Sequence, residues 1–513
     1  MNAANTVIGA GQLAQRLGPW RNAGGSMDDA DGSALAGAGA GAGTGSGARA
    51  KPLQSALAER ITALVLDGRL PLGSRLPAER ALSTALGVSR TTVTAAYSQL
   101  RESGFTVSRQ GSGSYVSLPE SVTARAGGWR AVHDGFDSGV IDLTTASPVA
   151  PLPTLQAALR SAAEQLPSLA DLNGCMPYGF NPLREAIAER YTAHGLPTAP
   201  DQILVTNGSQ GAITMIARLL CGPGDRVLVE SPSYPNALDT FRAAGTRPMP
   251  VPLDARGWTP GGYESALAQM RPRLAYLIPH FQNPTGHLMA PDMQASVARA
   301  AHRAGTWLLA DETVTEVALD VPIPPPFVTT IRPGDADSVL VCGSMSKSCW
   351  GGLRIGWLRG PARIVHELAA ARAAMDLSSP VLDQVAATAV LRGDQSYSEE
   401  HRKAWREQRA ALAAAVRQTF PHWTFRMPEG GLSLWIRMDN EEATLLSKRA
   451  QTHGVLVHAG PRFGADAGTF ERFVRMPYVL RPEQLREAVR RIDLARSAPG
   501  PRHASDYRAD LVA

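Results

Sequence analysis

From residue 139 to 497, short apolar runs alternate with longer stretches of helical spacing. The runs fall at 203–205, 226–230, 247–251, 274–278, 307–310, 339–342 and 355–358. Helical period covers 210–220 and 290–304, among other stretches between them. Strands that are apolar at consecutive positions are buried on both faces, and the intervening helices cover those faces. The pattern predicts an α/β block on a mostly parallel sheet. Ligands in such sheets bind at the carboxyl ends of the strands.

Residues 51–117 form a separate block. Helical spacing covers 53–66, and further helices are predicted at 78–86 and 89–103, joined by a turn at Gly87-Val88. Ser89 suits the N-cap of the second, leaving Arg90, Thr91 and Thr92 in its first turn. This is a helix–turn–helix layout, whose second helix enters the DNA major groove through its N-terminal residues. Residues 107–116 read as a hairpin, or wing, around Gln110-Gly111-Ser112-Gly113. Residues 1–50 are poor in large apolar groups and end in a Gly/Ala/Ser tract at 35–50, so they are expected to be disordered. Residues 118–138, with Pro119, Gly127, Gly128 and Gly135, are expected to form a linker, and 498–513 a flexible tail.

Bulk properties narrow the class. A length of 513 suggests two or three domains, and 44% hydrophobic with 19% charged residues reads as globular. No uninterrupted apolar stretch reaches the roughly 18 residues of a membrane span, and the N-terminus lacks a signal-peptide layout. The four cysteines have neither metal-ligand nor redox spacing, so free thiols, no metal and a cytoplasmic location are expected. Net charge is +5, and residues 51–117 carry eight Lys/Arg against four Asp/Glu, or +4. Most of the excess lies on the block with the DNA-reading layout.

Candidate chemistry centres on Lys347, in Gly343-Ser344-Met345-Ser346-Lys347 at the end of an apolar run. A lone lysine after a strand is ordinarily a surface charge. Here Ser344 and Ser346 precede it and Arg354 follows in Gly351-Gly352-Leu353-Arg354. Such a lysine can form a Schiff base with pyridoxal phosphate while hydroxyls and guanidinium hold the phosphate. Asn207-Gly208-Ser209-Gln210 follows one strand and opens a helix, whose amides and dipole suit a phosphate. Tyr234 follows a strand end, where an aromatic can stack on a pyridine ring. Asp311 ends the 307–310 run, where a buried carboxylate can pair with a protonated pyridine nitrogen.

The head block resembles the GntR winged-helix family through Leu76-Pro77-Ala78-Glu79-Arg80, Gly87-Val88-Ser89-Arg90-Thr91-Thr92-Val93, Ala96-Tyr97 with Leu100 and Gly104, and the wing up to Val116. The resemblance implies DNA contacts by Arg80, Ser89, Arg90, Thr91, Thr92, Gln110 and Gly111, with Tyr97 and Leu100 as core. The long block resembles fold-type I aminotransferases, which implies a large parallel-sheet domain with a smaller α+β domain. Together the two blocks look like a MocR-family regulator. By that resemblance Gly208, Ser209 and Gln210 cradle the cofactor phosphate. Asn283, in Asn283-Pro284-Thr285-Gly286, donates to the cofactor's phenolic oxygen. Tyr178 reaches the phosphate of a neighbouring subunit in a homodimer, and Arg475 holds a ligand carboxylate. Arg472 and Arg481 lie close enough in sequence to leave the register of that arginine open. Val314 stands where such enzymes usually have a tyrosine, which puts efficient transamination in doubt. The reading that follows is a DNA-binding transcription regulator sensing an amino acid, an amine or the cofactor itself. The alternative is an aminotransferase carrying a DNA-binding head, and a cofactor-free scaffold is a third.

Overall fold

The structure, a computed structural model, describes residues 7–18, residues 52–117 apart from 68 and 110–112, and residues 139–497 apart from 172, 260, 395 and 467. The expected linker, the tail and the wing residues Gln110 and Gly111 lie outside those residues.

The head contains α1 (Ala10–Leu17), α2 (Leu53–Leu66), α3 (Glu79–Leu86) and α4 (Arg90–Glu102), then β1 (Thr106–Arg109) and β2 (Gly113–Val116) paired antiparallel. Gly87, in the left-handed region at φ 61, ends α3 as only a glycine does readily. Ser89 starts α4, its Oγ accepting from the Thr92 amide at 3.1 Å. Leu57, Ile61, Leu64, Leu82, Val93, Tyr97 and Leu100 form the core, with Tyr97 donating to the Pro77 carbonyl at 3.0 Å.

Disorder throughout 1–50 is corrected for residues 7–18. The Ile8 amide donates to the Arg75 carbonyl at 3.1 Å, and Ile8, Leu13 and Leu17 are buried in the head core. Composition averaged over the segment dilutes these three side chains. Against an existing core, their burial offsets the entropy of ordering a short helix.

The body holds two sheets. β4 (Ile203–Asn207), β5 (Arg226–Ser231), β6 (Arg247–Asp254), β7 (Gly257–Trp258), β8 (Leu274–Leu277), β9 (Trp307–Asp311), β10 (Val339–Ser344) and β11 (Ile355–Arg359) form the larger, in the order β4-β11-β10-β9-β8-β5-β6-β7. Pairing is parallel across β10-β9-β8-β5-β6, while β11 and β7 are antiparallel to their neighbours. β4 therefore runs with the parallel set, and Asn207, Ser231, Asp311 and Ser344 emerge at one edge. The smaller sheet is β12 (Ser433–Arg437), β14 (Phe473–Pro477), β13 (Val455–Ala459) and β3 (Ile141–Leu143), in that order. Helices Ser396–Thr419 and Pro482–Ser497 cover it through Leu412, Val416, Leu485 and Ile492.

Candidate cofactor site and DNA-reading head

One cavity of about 1960 Å³ opens at the carboxyl edge of the large sheet and extends along the small sheet toward the head. Its wall includes Gly208, Ser209, Gln210, Tyr234, Asn283, Asp311, Ser346, Lys347, Arg354 and Arg475. Residues far apart in sequence thus meet because six strands of the large sheet point the same way.

The phosphate-suited end is built by the turn from β4 into helix Gly208–Leu220. Gly208 has φ +70, and a Cβ there would lie 3.0 Å from Arg354 Nη2. Glycine therefore keeps open the space between the helix amides and the guanidinium. Arg354 is itself left-handed at φ 53, a conformation costing on the order of 1–3 kcal/mol in a non-glycine residue. Its Nη2 donates to the Asn207 carbonyl at 3.2 Å. Gln210 is tied to Thr240 Oγ1 at 2.6 Å. Ser346 reaches the cavity, whereas Ser344 lies behind it, bonded to Ser346 Oγ at 2.9 Å and the Ile355 carbonyl at 3.2 Å.

Asp311 is buried, and its Oδ2 accepts from the Tyr276 hydroxyl at 2.8 Å while Oδ1 accepts from the Thr313 amide at 3.0 Å. Tyr276 was not anticipated from the sequence. Burial, then the Asp311 charge, pushes its phenol well above the usual range, so it stays a donor. Val314 packs where the cores of the two sheets adjoin and lines the cavity. Burial pushes Lys347 down to about 8; the nearby Arg475 charge adds to this and Asp311 opposes it.

Arg475 sits on β14 and is buried, while Arg472 and Arg481 are exposed. Its Nη2 donates to the Thr144 carbonyl, its Nη1 to Asn283 Oδ1 at 3.4 Å, and its Nε is buried without a hydrogen-bond partner. Burial lowers it to about 10, still a cation at neutral pH. Tyr178 does not join the cavity wall; its hydroxyl meets His366 Nδ1 and its ring lies 5.3 Å from the Arg184 guanidinium.

In the head, Arg80, Ser89, Arg90 and Thr91 are exposed and Thr92 half-buried at the start of α4. Arg90 is 71% exposed and only loosely near Glu79, at 3.6 Å. Head and body meet at a cluster that sequence reading missed. Arg60 of α2 is 2% exposed, pairs with Glu471, approaches Glu442 at 3.3 Å and donates to the Leu17 carbonyl at 2.9 Å. Arg69 reaches Glu471 at 3.2 Å, and Lys448 pairs with Asp67 at 3.2 Å.

Two family models match this chain: "Aminotransferase class I and II" over 139–492 and "Bacterial regulatory proteins, gntR family" over 53–116. The HTH-type transcriptional regulator YjiR of Escherichia coli is 28% identical, over 86% of this chain and 98% of its own. The protein named "Probable rhizopine catabolism regulatory protein MocR" of Rhizobium meliloti is 28% identical, over 81% and 90%. Among solved structures, the α-aminoadipate aminotransferase LysN of Thermus thermophilus, complexed with N-(5'-phosphopyridoxyl)-L-leucine, has a TM-score of 0.64 at 28% identity, covering 74% of this chain and 98% of LysN. The molecule is a DNA-binding transcription regulator with an aminotransferase-like domain. It belongs to the class I and II aminotransferase family and, with its GntR head, to the MocR type of regulator.

That family implies pyridoxal phosphate. The residues present fit it. The Gly208–Arg354 gap is held open for an anion, a lysine of lowered basicity lies beside a buried carboxylate, and a buried arginine keeps an unpartnered N–H. Among the described residues no helix is long and apolar enough to cross a membrane, and no His/Cys/Asp/Glu group could hold a metal.

Proposed function

We propose that the chain is a cytoplasmic homodimer that holds pyridoxal phosphate on Lys347 and changes its grip on an operator when an amino acid or amine, or the cofactor itself, binds. The meeting of Lys347, Asp311, Asn283, Tyr234, the Gly208–Arg354 cradle and Arg475 in one cavity carries this reading. When bound, the cofactor supplies an electrophilic carbon and an electron-withdrawing ring. Gly208, Ser209, Gln210, Ser346 and Arg354 hold its phosphate, Tyr234 covers its ring, Asn283 donates to its phenolic oxygen and Asp311 faces its ring nitrogen. Lys347, lowered to about 8, offers a larger neutral fraction near pH 7 than an ordinary lysine. Arg475 presents its planar fork to the effector's carboxylate.

Homodimerisation is supported by helix Leu152–Leu169, where Leu152, Leu159 and Leu166 repeat every seventh residue at 59%, 52% and 47% exposure. A repeat of that period lies along one helix face and suits a second copy. Tyr178 lies outside its own chain's cavity, and reaching the neighbour's would exchange its contact with His366 for the cofactor phosphate. In the head, the first turn of α4 enters the major groove with Arg90, Thr91 and Thr92, while Arg80, Gln110 and Gly111 contact the flanking backbone.

The test is the visible spectrum of purified protein after adding cofactor. Wild type should turn yellow and retain cofactor after borohydride treatment, and Lys347→Ala should do neither. A borohydride-trapped adduct in the variant would move the attachment site elsewhere. Turnover with amino and keto acids should stay below about one per second, a modest enzyme rate, because Val314 supplies no hydroxyl. Faster turnover would favour an aminotransferase with a DNA-binding head.

A further inference from the structure

Two cations of the cavity direct their hydrogen bonds at one short stretch of backbone. Arg475 Nη2 donates to the Thr144 carbonyl, and Lys347 Nζ donates to the Ala146 carbonyl at 2.6 Å. The stretch is held at both ends. Upstream, β3 pairs in parallel with β13, and Arg491 Nη1 donates to the Gly139 carbonyl at 2.7 Å. Downstream, Ser147 Oγ donates to the Ser346 carbonyl at 3.3 Å. Between them, Asp142 Oδ1 accepts from the Thr144 amide at 2.7 Å and the Thr144 hydroxyl at 2.5 Å, which fixes the turn that presents the Thr144 carbonyl. Residues Gly139, Asp142, Thr144 and Ala146 line the same cavity as Lys347.

Peptide carbonyls offer the acceptor chemistry of a carboxylate without its charge. A carboxylate on the Arg475 fork brings a full opposite charge and can take two parallel N–H···O bonds, where a carbonyl brings only a dipole and takes one. The carbonyl therefore holds the arginine until a carboxylate arrives and then yields to it. We propose that residues 144–146 are a built-in competitor for the effector site, a strap that the effector's carboxylate displaces from Arg475. The proposal rests on Arg475 being the carboxylate receptor. It adds which piece of the chain is released when that receptor is taken. The strap follows β3, which stays paired in the small sheet and itself follows residues 118–138 between head and body.

Hydrogen exchange of full-length protein, read by mass spectrometry on peptides spanning 139–147, tests this. The probes are N-(5'-phosphopyridoxyl)-L-leucine and the phosphopyridoxyl adduct of 3-methylbutylamine, which is the same molecule without its carboxylate. Calorimetry measures binding of each separately. The leucine adduct should bind and speed exchange in 139–147 by about tenfold, an opening of local rather than global size. The amine adduct should bind more weakly and leave those peptides slow. Asp142→Ala, which loosens the turn, should speed exchange in the same peptides without ligand. If the leucine adduct binds and the peptides do not respond, the strap is wrong and the effector reading survives. If the leucine adduct binds no better than the amine adduct, Arg475 is not the receptor and both fall.

Discussion

Two buried arginines divide the molecule's work. Arg60, at the junction of head and body, meets Glu471 and Glu442. Arg475, in the cavity, meets a carbonyl and an amide oxygen, and among the described residues no carboxylate lies within ion-pair distance of it. Both guanidiniums are charged and withdrawn from water, which is costly without compensation. The first is compensated inside the chain and behaves as a joint. The second has no carboxylate beside it among the described residues; each guanidinium keeps one nitrogen without a hydrogen-bond partner, Nη1 in Arg60 and Nε in Arg475, so the missing counter-charge is what sets the second apart and suits the receptor role proposed for it. Burial alone does not tell structure from function; what does is whether the counter-charge comes with the fold.

Substituting the two arginines should break the comparison apart most sharply. Arg60→Ala takes the main counter-charge from buried Glu471, leaving it Arg69 and the Thr444 hydroxyl, and from half-buried Glu442, and should cost about 3 kcal/mol in chemical unfolding of the full chain, while cofactor absorbance of the folded fraction persists. Arg475→Gln should cost less than about 2 kcal/mol yet reduce affinity for the leucine adduct at least tenfold, or about 1.4 kcal/mol. If the two variants lose equal stability, the distinction between joint and receptor is mistaken.

A second contrast sets the head's exposed arginine against both. Arg90→Ala should leave folding and cofactor absorbance unchanged and weaken operator binding by about 1–3 kcal/mol if it reads a base edge. Equal footprints for variant and wild type on the chain's own promoter region would remove it from the recognition surface.

The smallest effect concerns Lys347. Under the proposed attachment at Lys347 the neutral amine is the reacting form, so cofactor uptake by stripped protein should quicken as pH rises and level off near 8. Stopped-flow absorbance across pH 6 to about 10, the ordinary lysine range, checks it. A rate still climbing at the top of that range would mean the ammonium is solvated as usual.

Much of this was legible in the sequence because the informative residues sit at strand ends. All seven apolar runs of the large sheet form strands, six of them with consecutive buried positions that leave a dense signal, while β6 buries only Val251. Asp311, Lys347 and the Gly208 turn follow directly from those strands. The small sheet was harder to read. In β3 and β13 half-buried positions interrupt the buried ones, and a few residues of mixed character give little periodicity. Residues 7–18 were hidden by their Gly- and Ala-rich surroundings. The Arg60 cluster was invisible for another reason. An arginine in an amphipathic helix ordinarily faces water, and its partners at 442 and 471 come from the far end of the chain. The Tyr276–Asp311 bond crosses two neighbouring strands and has no counterpart in local spacing.

The acidic socket on the body also bears on engineering. Glu442 and Glu471 face the head, so cations where Arg60 and Arg69 stand favour docking. A foreign winged helix grafted onto this body would dock if it kept an arginine equivalent to Arg60. One bearing a leucine there would leave Glu442 against an apolar side chain and Glu471 with only the Arg69 position to answer it. Interchange of DNA readers on this scaffold would thus turn on a few charged side chains, Arg60, Arg69 and Asp67, far from any base pair.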